Sequence, residues 1–97
     1  MTLPVVWLPE ADAELKEAQA RYESVRPELG QRFAEAVADT VEAISAAPLQ
    51  FAVVEKGRRR AGVRRFPYGI YFLVEETRIV VISCFHGKRH PKHWQLR

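Results

Sequence analysis

The stretch YGIYFLVEETRIVVISCF, Tyr68–Phe85, decides the fold that this sequence predicts. It contains two segments rich in Val, Ile, Tyr and Phe, and the turn-forming residues ETR separate them, which is typical of a β-hairpin. A third short segment, GVRRF (62–66), precedes the hairpin and predicts one more strand. Both segments of the hairpin carry apolar side chains on both faces. We therefore expect a sheet that must be covered on two sides.

The residues before this hairpin predict a strand and two helices. VVWL, Val5–Leu8, is a short run of β-branched and aromatic residues and predicts the strand. Pro9, two acidic residues and apolar residues at spacings of three and four predict a helix from Ala11 to about Arg26. Pro27 ends it, because the residue before a proline avoids the helical region. A second apolar stripe then predicts another helix, and two helices with almost no loop pack as an antiparallel hairpin.

The predicted order is β-α-α-β-β-β, an α+β fold in a single domain that spans residues 1–97. We expect an antiparallel sheet with the N-terminal helical hairpin packed on one face. The hairpin can cover only that face. The second face is covered either by the C-terminal tail, through Trp94 and Leu96, or by a partner protein, since a monomer rarely leaves a large apolar surface in water.

Composition points to a small cytoplasmic protein. Hydrophobic residues make up 47% of the 97 residues and charged residues 28%, which is typical of a globular domain rather than of a disordered segment. No apolar run is long enough to span a membrane, and the N-terminus turns acidic without the basic start of a secretory signal. The lone cysteine, Cys84, excludes an internal disulfide. It lies in the apolar run IVVISCF, so we expect a buried thiol.

The net charge of +3 is unevenly distributed along the chain. Residues 1–54 contain four Lys or Arg and nine Asp or Glu, so this half carries −5. Residues 55–97 contain eleven Lys or Arg and three Asp or Glu, so this half carries +8. Six of these cations lie in the stretch EKGRRRAGVRRF. The second half therefore predicts a surface for a polyanion or an acidic protein, whose phosphates or carboxylates match the guanidinium fork.

The stretch FHGKRHPKHW, Phe85–Trp94, holds all three histidines of the chain. We expect no metal site, because Pro91 breaks any helix that would align them and no HExxH pattern is present. RNA cleavage is an alternative. His90 could act as base or acid, since its pKa is ordinarily near neutral, and Arg64 and Arg89 could stabilise the developing phosphorane charge. A basic docking tail would contain the same residue types.

The element order and the stretches RRFPYGIYF (64–72) and IVVISCFHGKRHPKHW (79–94) resemble the RelE/ParE superfamily of type II toxin–antitoxin toxins, also called plasmid stabilisation proteins. The resemblance covers most of the chain, including VVWLPEADAEL at the first strand and helix. It implies a bacterial growth-inhibiting toxin that binds no cofactor and is neutralised by a cognate antitoxin. It also implies that operator DNA is contacted only through the antitoxin. The antitoxin would wrap the toxin and cover basic and apolar surface together.

The superfamily divides by target, into ribosome-dependent mRNA endoribonucleases and inhibitors of DNA gyrase that hydrolyse nothing. The ribonuclease members carry paired lysines where this chain has Arg60 and Gly62, and an arginine directly after the hairpin tyrosine, where it has Gly69. Arg89 matches a later arginine of their set. Their C-terminal tyrosine falls near Trp94 or Gln95. Some ribonuclease members use histidines near the tail, so His86 and His90 keep that alternative open.

These comparisons favour a ParE-like, non-catalytic inhibitor of DNA gyrase. The alternative is a RelE-like endoribonuclease acting on ribosome-bound mRNA with Arg64, Arg89 and His90. A further alternative is a non-toxic subunit that binds the antitoxin or acts as a corepressor. We expect Trp94 to contribute more to antitoxin affinity than Lys92 does. The residues expected to contact the target or the antitoxin are Arg58, Arg59, Arg60, Arg65, Lys88, Arg89, Lys92 and Trp94.

Overall fold

The computed structural model describes residues 2–87 and contains one strand more than the sequence predicts. Strand β1 spans Val5–Trp7, helix α1 Pro9–Val25 and helix α2 Pro27–Ala46, followed by a 3-10 turn at Pro48–Gln50. The remaining strands are β2 (Val53–Glu55), β3 (Arg58–Gly62), β4 (Tyr68–Val74) and β5 (Ile79–His86).

The two helices are joined by a single residue, Arg26, as the two prolines predict. Arg26 has an extended backbone (φ −157°, ψ 138°) because Pro27 follows it, and its N–H still donates to the carbonyl of Tyr22 at 3.1 Å. Each helix begins with a proline, which needs no hydrogen-bond acceptor in the first turn. The helices pack against each other and α1 packs on β5. The predicted helical hairpin on one face of the sheet is therefore confirmed.

The sheet has the order β1-β5-β4-β3-β2 and is mixed. The pairs β2–β3, β3–β4 and β4–β5 are antiparallel, as expected, whereas β1 pairs in parallel with β5. A β-bulge at Ile82 shifts the register between β4 and β5. Strands β1 and β2 are the two edges, so the hairpin that decides the fold lies in the middle of the sheet.

The third predicted strand is misplaced in the sequence analysis. Within GVRRF (62–66) the strand already ends at Gly62: the N–H of Phe66 donates to the carbonyl of Val63 at 3.1 Å, which closes a turn, and Pro67 has no N–H to give to a ladder. The strand lies earlier, at β3, and pairs with β2 through a tight turn at Lys56 and Gly57, which both have positive φ. Arg58, Arg59 and Arg60 are therefore part of the sheet.

The core lies between the helices and the sheet. Its largest fully buried side chains include Phe33 and Ile44 from α2, Phe72 from β4 and Ile79 from β5. The opposite face of the sheet, which we call the second face, is also closed at its centre: Ile82 is 2% and Phe85 3% exposed, although neither belongs to the helix-side core. The proposed cover by Trp94 and Leu96 concerns residues outside the described part of the chain.

Candidate functional site

The predicted binding residues that the structure describes lie on two different surfaces. Strand β3 places Arg58 and Arg60 on the second face, because Ala61, which belongs to the core, points to the helices and side chains alternate along a strand. Arg64 and Arg65 lie in the loop between β3 and β4 and are exposed on the helix side. Lys88, Arg89, His90, Lys92 and Trp94 lie outside the described residues.

Arg59 holds the chain before β2 in place. Its Nη1 donates to the carbonyl of Phe51 at 2.5 Å and is 3.5 Å from that of Leu49. Phe51 in turn packs edge to face against Phe72 of the core. The structure therefore gives Arg59 an intramolecular role, and its predicted contact with a partner stays a prediction.

Arg60 lies flat against the second face. Its Nε donates to the hydroxyl of Tyr71 at 3.3 Å, and its guanidinium carbon is 5.9 Å from the centre of the Tyr71 ring. The side chain crosses Gly69, its diagonal neighbour on β4. A Cβ added at Gly69 would come within 2.6 Å of Arg60 Nε, so any other residue there would displace the guanidinium from this position.

A groove of about 750 Å³ lies on the opposite side, between α2 and the loop after β3. Its apolar lining includes Leu29, Phe51 and Phe66. Five charged side chains complete it, and no ion pair joins any of them to another described residue. They are Arg32, Glu35, Asp39, Arg64 and Arg65.

The residues predicted from the sequence did not include the charged side chains that α2 contributes to this groove. Arg32, Glu35 and Asp39 are spaced three and four residues apart, so they form one stripe along α2 beside its buried stripe. This spacing was visible in the sequence. It could not indicate a groove by itself, because a charged stripe on a helix is usually a solvated face and the opposing loop was predicted as a strand.

An aromatic cluster fixes the loop that carries Arg64 and Arg65. Phe66 packs edge to face on Tyr22 and Phe33, with ring centres 5.0 and 5.1 Å apart. Arg65 has a positive φ of 70°, a conformation that costs a non-glycine residue free energy. The packing of Phe66 thus compensates for a strained backbone, and the two arginines are presented on an anchored loop.

His86, the one histidine among residues 2–87, lies beside Tyr68 at the end of the sheet. His86 contacts the ring of Tyr68 edge to face at 5.4 Å, and the Tyr68 hydroxyl accepts a hydrogen bond from Arg21 at 3.2 Å. Tyr68 is buried and belongs to the core. Of the predicted trio Arg64, Arg89 and His90, Arg64 is the member that the structure describes, and it lines the groove beside α2. The predicted trio therefore stays untested, since Arg89 and His90 lie outside residues 2–87.

Cys84 is buried and its thiol is protonated. Burial and the nearby carboxylate of Glu14 raise the pKa of Cys84 to about 12. The same carboxylate accepts hydrogen bonds from the Ser83 hydroxyl at 3.0 Å and from the Cys84 N–H at 3.3 Å, which ties α1 to the bulged part of β5. A thiolate nucleophile is therefore not available here at neutral pH, as the sequence predicts. Among residues 2–87, no helix is long and apolar enough to cross a membrane.

The helical hairpin on a five-stranded mixed sheet defines a small α+β domain with arginine-rich surfaces. Residues 5–91 match the family described as the ParE toxin of the type II toxin–antitoxin system parDE. The chain therefore belongs to the ParE toxin family, which confirms the predicted superfamily and the toxin role in a toxin–antitoxin system with an antitoxin partner.

A solved structure described as the chromosomal ParDE TA system from P. aeruginosa is similar in fold. Its TM-score is 0.76 at 19% sequence identity, and the match covers 88% of this chain and 96% of that chain. The α+β fold class is thereby confirmed. No curated protein sequence matches.

Proposed function

We propose that this toxin is neutralised by its cognate antitoxin and inhibits DNA gyrase by binding, without cutting nucleic acid. The observation that carries the proposal is the family match to ParE over residues 5–91. Gly69 supports it, because ribonuclease members of the wider superfamily carry an arginine at that position after the hairpin tyrosine. In this chain the position is a glycine, and the guanidinium of Arg60 on β3 occupies the space above it.

The groove beside α2 supports a binding function and suits a segment of the antitoxin. Its floor is apolar, and its rim offers both signs of charge without internal ion pairs. It runs along α2 from Leu29 to Ala43, which at a rise of 1.5 Å per residue is about 21 Å. A helix of about four turns with an apolar stripe and charges on either side would fill it.

The test measures gyrase activity and mRNA integrity with one preparation of toxin. Purified toxin is added to gyrase with relaxed plasmid and, in parallel, to ribosomes that hold mRNA. We expect supercoiling to stop, the mRNA to remain whole, and added antitoxin to restore supercoiling. Full supercoiling at saturating toxin would contradict the proposed target. Unimpaired growth when the toxin is induced without antitoxin would instead favour the non-toxic subunit.

The endoribonuclease alternative keeps one observation in its favour. The guanidinium of Arg60 lies directly over Gly69, so a cation is present near the position of the missing arginine. This alternative predicts that His90→Gln and Arg89→Ala abolish toxicity but keep antitoxin binding. If induced cells contain new codon-phased mRNA ends that are absent with both variants, the target is the ribosome rather than gyrase.

A further inference from the structure

We propose that Arg60 is a recognition site for a carboxylate side chain of the antitoxin, built on the second face of the sheet. The proposal rests on the proposed function only in assuming that an antitoxin binds. It concerns the face opposite the groove beside α2. Its basis is the way in which Gly69 and Tyr71 hold a single guanidinium group in place.

The sheet provides a cradle for the guanidinium group of Arg60. An added Cβ would lie 2.9 Å from Cζ and Nη2 at Gly69, 3.6 Å from Nη1 at Gly62, and 3.8 Å from Nη2 at Gly87. Gly69 is therefore the position where a side chain would collide with the planar group, whereas the other two distances are ordinary contacts. The Tyr71 hydroxyl accepts from Nε and its ring lies against the guanidinium, so the orientation is fixed from two sides.

Within the part of the chain that the structure describes, Nε is the one nitrogen of Arg60 that makes a hydrogen bond. Nη1 and Nη2 have no acceptor among residues 2–87, and the side chain is half-buried rather than enclosed. A fixed guanidinium that presents two parallel N–H donors binds a carboxylate in bidentate geometry. Since the cradle holds the side chain before a ligand arrives, little rotamer entropy is lost on binding.

The surroundings favour the carboxylate of a protein over the phosphates of a nucleic acid. Aromatic rings flank the fork: Tyr71 packs against Phe85 with ring centres 5.6 Å apart, and Phe85 is opposite Gly69 in the sheet. One arginine beside aromatic side chains is typical of a protein interface hot spot. Nucleic acids are bound by several cations that follow the backbone. Arg64 and Arg65 lie on the other side of the molecule, and Arg58, which shares the second face, has its Nε buried.

The test compares four variants of the full-length toxin with the antitoxin encoded beside it. Arg60→Ala removes the guanidinium, and Arg60→Lys keeps the charge without the fork. Gly69→Ala displaces the guanidinium from its cradle without any change of charge. Gly62→Ala is the matched control, because its added Cβ stands at an ordinary contact distance of 3.6 Å from Nη1. Affinity is measured by calorimetry, and folding by circular dichroism and thermal melting.

We expect Arg60→Ala and Gly69→Ala to weaken antitoxin binding by about tenfold or more, the loss that a charge-assisted hydrogen-bond pair implies. Arg60→Lys should lose part of this affinity and Gly62→Ala none. Unchanged affinity of folded Arg60→Ala overturns the proposal. So does a result in which Arg60→Ala loses gyrase inhibition or RNA binding while its antitoxin affinity is kept, because the fork would then serve the target.

Two further measurements keep the outcome decisive. If Gly69→Ala alone does not fold, the double variant Arg60→Ala with Gly69→Ala has room for the methyl group and should bind as Arg60→Ala does. A larger loss of affinity in the double variant than in Arg60→Ala would show that Gly69 contributes to binding independently of Arg60. That result would contradict the proposed positioning of Arg60 by Gly69. A double-mutant cycle with Asp→Asn and Glu→Gln variants of the antitoxin should couple one carboxylate to Arg60. Failure of wild-type toxin to bind antitoxin would contradict the proposed function itself.

Discussion

Three consecutive arginines on β3 show how residues of one type take different roles through the geometry of a strand. Arg58 has its Nε buried on the second face, Arg59 donates to carbonyls of the preceding turn, and Arg60 lies across Gly69. The sequence presents all three as one basic cluster. Which of them can meet a partner depends on the alternation of side chains along the strand and on Gly69, nine residues after Arg60, and charge alone does not contain this information.

Cys84 allows a test of the buried face of β5. We expect iodoacetamide to leave the folded protein unmodified at pH 8 and to react fully once the protein is denatured. The thiol is 1% exposed, and with its pKa raised to about 12 the thiolate fraction at pH 8 is on the order of 10⁻⁴. Mass spectrometry measures the adduct. Rapid alkylation of the native protein would contradict the described packing of Glu14 over this strand.

Alkaline pH should destabilise the fold through the same residue. The folded-state pKa of Cys84 lies above its usual value of 9.0, so the folded protein keeps a proton that the unfolded chain loses. The stabilising effect is complete below about pH 9 and is lost as pH rises toward 12. Urea unfolding of wild type and Cys84→Ser across this range checks it: the variant should show a smaller decline. Parallel declines would mean that other groups cause the loss.

The positive φ of Arg65 gives a prediction with a neighbouring control. Arg65→Gly should raise the free energy of unfolding by about 0.5–1 kcal/mol, because glycine adopts φ 70° without the steric cost that arginine has there. Arg64→Gly removes the same charge one position earlier, where φ is not positive, and should lower stability by a similar amount. Urea denaturation measures both. Equal effects of the two substitutions would show that the loop is not strained at Arg65.

At the scale of elements, local signals determined what could be predicted. The helical hairpin was visible in the sequence because prolines mark both helix starts and apolar residues repeat every three or four positions. Strand β3 was not, since its arginines give no apolar pattern and its place is set by pairing with β4. The parallel contact of β1 with β5 joins segments that are more than 70 residues apart, and nothing local in either one indicates it.

The candidate site was predictable to the same extent. Arg58, Arg59, Arg60, Arg64 and Arg65 were all identified as candidates from charge, but their division between two opposite surfaces follows from the sheet. The groove was not predicted, because it forms only where the fold places α2 and the loop after β3 side by side. The sequence therefore identified the residue types of the site and left its geometry to the fold.

The turn between β2 and β3 places the third strand earlier in the chain than the predicted segment GVRRF, and this turn can be tested by itself. Gly57 has φ 77°, and an added Cβ would meet no atom of the described residues within 4 Å. Gly57→Ala should therefore lower stability by about 1 kcal/mol through backbone conformation alone. Gly62→Ala, in β3 without positive φ, should leave stability unchanged or slightly raised. Urea denaturation distinguishes the two, and no loss from Gly57→Ala would contradict the turn.

At the scale of the whole molecule, the charge asymmetry of the sequence becomes an asymmetry of layers. All nine acidic residues of the first half lie between Pro9 and Ala46, in the helical hairpin, against four basic ones. The chain from Ala47 to Gly87, which forms most of the sheet, carries seven Lys or Arg and three Asp or Glu. The protein therefore has an acidic helical layer and a basic sheet layer, and the field of the sheet layer attracts an acidic partner.

This orientation predicts which charge reversals slow association with the antitoxin. Lys56→Glu, at the exposed turn of the sheet layer, should reduce the association rate constant about two- to tenfold at low salt, and the difference from wild type should shrink as salt screens the field. Lys16→Glu makes the same change of charge on α1, where Lys16 pairs with Asp12 at 2.9 Å, and should alter the rate constant much less. Stopped-flow association at several ionic strengths measures both variants. Equal slowing would mean that only net charge steers the encounter, and that the separation into two layers has no part in it.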